Sequence, residues 1–348
     1  MIMRRKSTEI RLGNVTIGGN APVSVQSMTK TDTRNIPATI SQIKELEECG
    51  CEIIRLAIPD MEAATALKSI RKEVRIPIVA DIHFDYRLAL AALSAGTDGL
   101  RLNPGNIGDP ERVKAVVRAA KEREIPIRIG VNAGSLPKDL PPELTTAQKM
   151  VKAAMGHIKI LEALDFSLIK VSLKAFDVPT TVEAYRQIAS LIPYPLHVGI
   201  TETGTPKTGL VRSAVGIGNL LYMGIGDTIR VSLTSPPQEE VFAAYEILKS
   251  LNLRQRGPVL VSCPTCSRTE VDIVGIAARV QEALNKIDKP IRVAVMGCAV
   301  NGPGEAKEAD LGIACGKGQG LLFRKGKKIA SFPEDELVNA LLREIASL

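Results

Sequence analysis

Pro77-Ile78-Val79-Ala80-Asp81 is a short apolar run, and Gly99-Leu100-Arg101-Leu102 follows it after one helical segment. Apolar runs of about four to eight residues, rich in β-branched side chains, are typical of buried strands. The alternation of such a run with a helical segment is repeated eight times before about residue 250. The other six runs are Val23-Ser24-Val25-Gln26, Ile53-Ile54-Arg55-Leu56, Ile127-Arg128-Ile129-Gly130, Leu168-Ile169-Lys170-Val171, Leu196-His197-Val198-Gly199 and Thr228-Ile229-Arg230-Val231.

Amphipathic stretches separate these runs, for example at 38–50, 109–123, 146–163 and 237–250. Eight strand and helix units in about 250 residues predict an α/β protein with an N-terminal (β/α)8 TIM barrel. The alternative is a doubly wound open sheet. That fold normally has fewer strands and a glycine fingerprint after the first one, which this sequence lacks.

The pattern changes after the eighth unit, so we predict a barrel domain over 1–253 and a second domain over 254–348. The second part reads as strand, helix and strand, followed by a glycine-rich segment with hairpin strands and a final helix from about residue 334. This order predicts a small α+β domain with its own core.

The composition is that of an ordinary globular protein, with 45% hydrophobic and 24% charged residues in 348. No window has the length of a membrane span, and the first residues lack the apolar stretch of a secretory signal, so we expect a cytoplasmic protein. The net charge of +7 could indicate nucleic acid, but Trp is absent and aromatics make up only 3%. A basic pocket for a small anionic substrate explains the charge, and we expect neither a nucleic-acid nor a membrane partner.

Three cysteines have the spacing of a metal or iron–sulfur site. Cys263 and Cys266 form a C-x-x-C pair, and Cys298 stands in a loop rich in Gly and Pro. The pair alone could also be a redox dithiol. The fourth ligand is either Glu305, which follows Gly-Pro-Gly, or Cys315, which stands in an apolar run typical of core.

Polar side chains follow the predicted barrel strands, at the end where TIM barrels carry their active sites. They are Arg55, Asp81, His83, Arg101, Asn103, Arg128, Asn132, Lys170, Ser172, His197, Glu202, Arg230 and Ser232. Converging guanidinium groups suit phosphoryl oxygens, so the set predicts a ligand such as a diphosphate. Some of these cations could instead pair with Asp81 or Glu202, and His83 and His197 could each be a packed, hydrogen-bonded histidine.

The combined motifs resemble the family of bacterial hydroxymethylbutenyl diphosphate synthases, iron–sulfur enzymes of the non-mevalonate isoprenoid pathway. The resemblance covers essentially the whole chain. The motifs are Val25-Gln26-Ser27-Met28-Thr29, Asp81-Ile82-His83-Phe84, Arg101-Leu102-Asn103-Pro104-Gly105-Asn106, Ser262-Cys263-Pro264-Thr265-Cys266 and Cys298-Ala299-Val300-Asn301-Gly302-Pro303-Gly304-Glu305.

The resemblance implies a reductive ring opening and dehydroxylation of 2-C-methyl-D-erythritol 2,4-cyclodiphosphate to (E)-4-hydroxy-3-methylbut-2-enyl diphosphate and water. Two electrons would pass through one 4Fe-4S cluster per subunit, held by Cys263, Cys266, Cys298 and Glu305. The barrel would bind the substrate through Arg55, Asp81, His83, Arg101, Asn103, Arg128, Asn132, Lys170, Ser172, Arg230 and Ser232.

The resemblance also bears on proton transfer and on partners. Glu202 or His197 would give the proton for water loss, and the resemblance favours Glu202. Ferredoxin or flavodoxin would supply the electrons. The resemblance further implies a homodimer in which the cluster domain of one subunit caps the barrel of the other.

Two other hypotheses remain open from the residues alone. One is a zinc-stapled binding protein that uses Cys315 as its fourth thiolate and holds RNA on the basic rim. The other is a barrel aldolase or sugar-phosphate isomerase, for which Lys170 would be the Schiff-base lysine.

Overall fold

The computed structural model describes residues 2–269, 271–298, 304 and 307–347. The chain divides into two compact units, Met1–Arg254 and Gln255–Leu348, each with its own core.

The first unit is built around eight parallel strands. They are β3 (Ser24–Met28), β4 (Ile53–Ala57), β5 (Ile78–Asp81), β6 (Gly99–Leu102), β7 (Ile127–Asn132), β8 (Ile169–Lys174), β9 (His197–Val198) and β10 (Thr228–Ile229). Neighbours pair in the order β8-β7-β6-β5-β4-β3-β10-β9. A parallel bridge between Val171 and Leu196 joins β8 to β9 and nearly closes the sheet. The predicted TIM barrel is confirmed.

Helices follow the strands. They are α1 (Ile36–Glu48), α2 (Met61–Glu73), α3 (Tyr86–Ala95), α4 (Pro104–Ile107), α5 (Pro110–Lys121), α6 (Thr146–Glu162), α7 (Val178–Leu191), α8 (Pro206–Tyr222) and α9 (Pro237–Ser250). Side-chain caps fix the start of several of them: Asp60 accepts a hydrogen bond from the N–H of Ala63, and Thr145 forms a capping box with Gln148.

Strand β8 shows how the barrel positions polar groups. All six of its residues are buried, but Ile169, Val171 and Leu173 belong to the apolar core that the strands share with the helices. Because side chains alternate along a strand, the polar members Lys170, Ser172 and Lys174 point the other way, into the barrel. The interior is therefore polar on this strand, unlike the usual apolar filling of a TIM barrel.

A short hairpin precedes the barrel and was not predicted. Strands β1 (Ile10–Leu12) and β2 (Val15–Ile17) pair antiparallel, and the side chains of Ile10, Leu12 and Ile17 form an apolar cluster with Ile53 and Val79. Because these two residues lie early in β4 and β5, the hairpin closes the amino-terminal end of the barrel. The sequence signal was an apolar alternation across a Gly-Asn turn.

The second unit is a five-stranded mixed sheet with helices. Its elements are β11 (Val259–Ser262), α10 (Ile273–Leu284), β12 (Arg292–Met296), β13 (Leu311–Cys315), β14 (Gln319–Arg324), β15 (Lys327–Pro333) and α11 (Glu334–Ala346). Strands β11, β12 and β13 are parallel, whereas β14 and β15 form the predicted hairpin. The carboxyl ends of β11, β12 and β13 therefore meet at one edge. None of the described helices in either unit has the length and apolarity that crossing a membrane would require.

Candidate functional site

Cationic side chains converge in the carboxyl-terminal half of the barrel interior. They are Arg55, Arg101, Arg128, Lys170, Lys174 and Arg230, of which all but Lys174 were predicted. Arg101, Arg128, Lys170 and Lys174 are buried, with at most 8% of each residue exposed. Like charges this close repel one another unless acids or a bound anion compensate them.

Asp81, at the end of β5, is one of two buried acids in this cluster. Its carboxylate lies 3.5 Å from Nε of Arg55 and 3.2 Å from Nη1 of Arg101. Burial alone would raise the pKa of Asp81, but Arg55, Arg101 and Arg128 outweigh it and hold that pKa below its usual value. The exposed His83 lies beside it, with Nε2 3.9 Å from the carboxylate.

Glu240, in the first turns of α9, is the second buried acid and was not predicted. It lies 3.4 Å from Nη2 of Arg230 and 3.2 Å from Nζ of Lys30, and it accepts a hydrogen bond from the N–H of Leu233. Ser232, which was predicted, accepts a hydrogen bond of 3.0 Å from Nη1 of Arg230. Glu240 thus holds Arg230 at the rim.

Several buried donor groups of these cations have no acceptor among the described residues, including Nε of Arg101 and Nε of Arg230. Arg128 donates from Nη1 to Ser172 Oγ over 2.6 Å, but its Nε and Nη2 have no partner among the described residues. Lys170 Nζ is likewise without one. Burial and the charge of Arg128 lower the pKa of Lys170 to about 7, and burial with the charges of Arg55 and Arg101 lowers the pKa of Arg128.

Two glycines make room for cations. A Cβ on Gly130 would lie 2.7 Å from Nε of Arg101, whose Nη2 donates to the Gly130 carbonyl. A Cβ on Gly199 would lie 3.1 Å from Nζ of Lys174. Contacts this close leave no space for a side chain, so the backbone of β7 and of the segment after β9 forms part of the site wall.

His197 is fully enclosed, with 1% exposure. Its Nε2 lies 3.4 Å from Nζ of Lys174 and its Nδ1 lies 2.7 Å from Oγ1 of Thr228. Burial first, and then the charges of Lys174 and Arg128, lower the pKa of His197 well below its usual value. The ring is therefore neutral near pH 7.

The other predicted residues lie around this cluster. Asn103 is buried, and its Oδ1 accepts a hydrogen bond from the N–H of Gly130. Asn132 ends β7 and is half-buried. Glu202 lies in the loop after β9, exposed, with φ of 57°. A left-handed conformation at a residue other than Gly is uncommon and tends to occur at functional sites.

Sequence reasoning missed Lys174 and Glu240 for different reasons. Lys174 stands four residues after Lys170 on β8, so the strand's two-residue period would have placed both in the barrel. The predicted strand ended at Val171. Glu240 carried no such signal, because an acid in the first turn of a helix normally faces solvent.

The three cysteines predicted as ligands, Cys263, Cys266 and Cys298, lie in the second unit, at the shared edge of its parallel strands. Cys263 follows β11, and its Sγ accepts a hydrogen bond of 3.1 Å from the N–H of Gly297, the residue before Cys298. Cys266 is exposed, and hydrogen bonds from the backbone of Arg268 and from the Thr269 side chain lower its pKa. A thiol with a lowered pKa loses its proton more readily, and the thiolate is the form that binds metal. N–H groups that donate to the sulfur stabilise that form.

Of the two candidates for the fourth ligand, Cys315 lies within the described residues. Glu305 lies outside the described residues. Cys315 has 0% exposure and belongs to the apolar core, as predicted from its run. Within the described part of the chain, no three side chains of His, Cys, Asp or Glu come close enough to hold a metal ion.

The barrel can therefore bind a compact polyanion. Six cations surround a polar interior that contains two buried carboxylates, and several of their N–H groups lack acceptors within the described ranges of the chain. A diphosphate has the charge and the oxygen acceptors to satisfy them.

Comparison with known proteins agrees with this geometry. The family described as GcpE TIM-barrel domain matches residues 7–245, and the GcpE protein C-terminal domain matches residues 259–347. Solved dihydropteroate synthases share the barrel fold alone. The one from Stenotrophomonas maltophilia has a TM-score of 0.54 and 13% identity, covering 71% of this chain and 97% of its own.

Curated relatives match over full length. A protein of Dehalococcoides mccartyi strain CBDB1, named 4-hydroxy-3-methylbut-2-en-1-yl diphosphate synthase (flavodoxin), is 92% identical over 100% of both chains. Proteins with the same name from Thermodesulfovibrio yellowstonii and Geobacter sulfurreducens are 60% and 57% identical, each over 99% of both chains. Because both family domains match in order and the relatives match from end to end, the chain belongs to the GcpE family.

Proposed function

We propose that this protein is a 4-hydroxy-3-methylbut-2-enyl diphosphate synthase. It converts 2-C-methyl-D-erythritol 2,4-cyclodiphosphate to (E)-4-hydroxy-3-methylbut-2-enyl diphosphate, taking up two electrons and two protons. The ring oxygen stays on the phosphate when the C–O bond opens, and a hydroxyl group of the substrate leaves as water. The relatives of the same length carry this activity in their names. The structural observation that supports it most strongly is that buried donor groups of Arg101, Arg128, Lys170 and Arg230 have no acceptor within the described part of the chain.

The cations would hold the cyclic diphosphate and stabilise its ring opening. The proposed contacts are the predicted set, Arg55, Asp81, His83, Arg101, Asn103, Arg128, Asn132, Lys170, Ser172, Arg230 and Ser232, extended by Lys174. When the C–O bond to phosphate opens, negative charge develops on a phosphoryl oxygen, and fixed guanidinium groups lower the energy of that state. The carbonyl of Gly130 accepts a hydrogen bond from Arg101, and the absence of a side chain at Gly130 and Gly199 leaves room for Arg101 and Lys174.

Glu202 is the proposed proton donor to the departing oxygen. It is exposed in the loop that follows β9, at the end of the barrel where the other loops meet. A carboxyl group in that position can meet the substrate from the open side, opposite the buried cations.

The cysteine edge fits an iron–sulfur cluster in its donor chemistry. Cys263 and Cys298 follow neighbouring parallel strands, and Cys263 already receives a backbone N–H, which is a common feature around cluster sulfurs. We assign the ligands to Cys263, Cys266, Cys298 and Glu305, with one 4Fe-4S cluster per subunit. When bound, such a cluster supplies electrons one at a time.

The partners follow from the family. Flavodoxin is the electron donor that the relatives' names carry, and we propose it for this chain too. The homodimer, with the cluster domain of one subunit capping the partner's barrel, stays a prediction. The cytoplasmic location does so as well.

The test is turnover under anaerobic conditions. Holoenzyme with reduced flavodoxin should convert the cyclodiphosphate to the linear diphosphate, and the electron paramagnetic resonance signal of the dithionite-reduced protein should change when substrate is added. A fully loaded protein that gives no product, or a colourless protein that contains zinc after reconstitution, would contradict the proposal.

Matched cysteine variants test the ligand set. Cys266→Ser should lower the iron and acid-labile sulfide content, whereas Cys315→Ala should leave both unchanged, because Cys315 packs in the core. Loss of iron in Cys315→Ala, with normal folding, would favour four thiolates instead.

A further inference from the structure

Lys174 lies between His197 and the backbone of Gly199. It ends β8 inside the barrel, with Nζ 3.4 Å from Nε2 of His197. On another side, Nζ lies so near Gly199 that a Cβ there would be 3.1 Å away. Burial first, and then the charges of Arg128, Arg230, Arg55 and Arg101, lower the pKa of Lys174. The side chain points into the barrel, because side chains alternate along β8.

His197, on β9, is itself fixed by contacts with the two neighbouring strands and with α7. Its Nδ1 lies 2.7 Å from Oγ1 of Thr228, the first residue of β10. Its carbonyl accepts a hydrogen bond from the hydroxyl of Tyr185, and that hydroxyl accepts the N–H of Leu173 on β8. The imidazole thus spans β8 and β10 from its place on β9.

The charge on the Lys174 ammonium decides which ring nitrogen of His197 donates a hydrogen bond and which accepts one. A charged lysine has three donors and no acceptor, so with an anion in the site Nε2 of His197 must accept from Lys174. The ring proton therefore lies on Nδ1 and is donated to Thr228. With both nitrogens engaged and 1% exposure, the ring has no proton to offer at the mouth of the barrel.

We propose that His197 is a positioning residue: it holds the ammonium of Lys174 against the diphosphate of the substrate and does not transfer a proton. This inference rests on the proposed function, since it requires the cyclodiphosphate in the barrel. Proton delivery is then left to Glu202, and His197 acts on the substrate only through Lys174.

The test is a double-mutant cycle read by calorimetric binding of the cyclodiphosphate to holoenzyme without reductant. Lys174→Met should weaken binding by about 10- to 100-fold, the range for a lost charged hydrogen bond. His197→Ala should weaken it by about 5-fold, because the ammonium is still present but less well held. In the Lys174→Met background, His197→Ala should have no further effect.

Other variants keep the test decisive if His197→Ala folds poorly. His197→Gln supplies an amide oxygen that can accept from Lys174, so it should retain most of the affinity, and Thr228→Val should weaken binding slightly. Equal effects of His197→Ala with and without Lys174 would overturn the inference while leaving the proposed function intact. Failure of the unmodified protein to bind the cyclodiphosphate would overturn both.

Nitrogen-15 NMR of the substrate complex gives an independent readout. The expected spectrum shows a neutral His197 ring with its proton on Nδ1. An imidazolium, or a proton on Nε2, would contradict the positioning role.

Discussion

Arginines at the two ends of the same barrel have opposite surroundings. At the amino-terminal end, Arg5 donates to the carbonyls of Ile192 and Tyr194, and Arg4 lies 3.0 Å from the carboxylate of Asp227. At the carboxyl-terminal end, Arg128 has one acceptor, Ser172, and two of its nitrogens have no partner among the residues that the structure describes. The residue type is the same, but among these arginines Arg128 alone has buried nitrogens without an acceptor in the described part of the chain.

The difference separates structural cations from cations that await a ligand. Burying a charge without enough partners lowers stability, and proteins keep such groups where binding needs them. The hairpin of β1 and β2 closes the amino-terminal end with apolar side chains, so anions can reach the interior from the other end. Substitutions at the two ends should therefore affect different properties.

The largest effect on binding is expected for Arg128→Met. Removing this cation should weaken cyclodiphosphate binding by about 30- to 1000-fold, since a buried charged pair with phosphate is lost. The free energy of unfolding without substrate should stay the same or rise, because a poorly satisfied buried charge is gone. Calorimetry measures the affinity, and denaturant unfolding measures the free energy of unfolding. If the free energy of unfolding fell together with the affinity, Arg128 would be a structural cation like Arg5, and the predicted difference between the two ends of the barrel would be wrong.

Arg5→Met should do the opposite. It leaves the carbonyls of Ile192 and Tyr194 without their donor and should lower the free energy of unfolding by about 2–4 kcal/mol. Substrate affinity, measured below the unfolding transition, should be unchanged. A weaker affinity here would show that the amino-terminal end also serves the ligand.

Binding should depend on pH through the lysines. The pKa of Lys170 is about 7, and that of Lys174 is also lowered. A bound diphosphate favours the charged amines and raises both pKa values, so the complex holds more protons than the free enzyme. Affinity should therefore fall as the pH rises above about 7, with proton uptake visible in calorimetry with buffers of different ionisation enthalpy. Affinity independent of pH between neutral and mildly alkaline conditions would contradict this.

Among substitutions of the six barrel cations, the smallest effect on binding is expected for Lys170→Met, because Lys170 is the second residue of β8 and lies nearer the closed end than Lys174. The lowered pKa of Lys170 also makes the stability of the protein depend on pH in a definite direction. Between the usual lysine pKa of 10.5 and about 7, the unfolded chain binds a proton that the folded protein does not, so stability falls as the pH is lowered through that range. Lys170→Met should lack this loss and be the more stable protein at pH 7. A stabilising effect that is larger at pH 10 than at pH 7 would contradict the assignment.

The sequence predicted the barrel and most of the cations around it, because strand period and strand order determine which residues meet at the carboxyl-terminal end. It did not predict which cations are satisfied. Arg230 is held by Glu240 on a helix, and Arg128 is left with one acceptor, although both read as a cation in an apolar run. The number of acceptors that each cation finds depends on contacts between segments that are distant in the sequence. The local sequence pattern therefore does not predict it. Lys174 was within reach of the period rule and was missed only because the strand was ended too early.

The most direct test of the central claim, that the unsatisfied cations of the barrel hold the cyclodiphosphate, is the change in melting temperature on adding that substrate to three proteins. A ligand that binds only the folded state raises the transition. The unmodified protein should melt higher with substrate, Arg5→Met should melt lower but show the same rise, and Arg128→Met should show almost none. An equal rise in Arg128→Met, or no rise in the unmodified protein, would contradict the account.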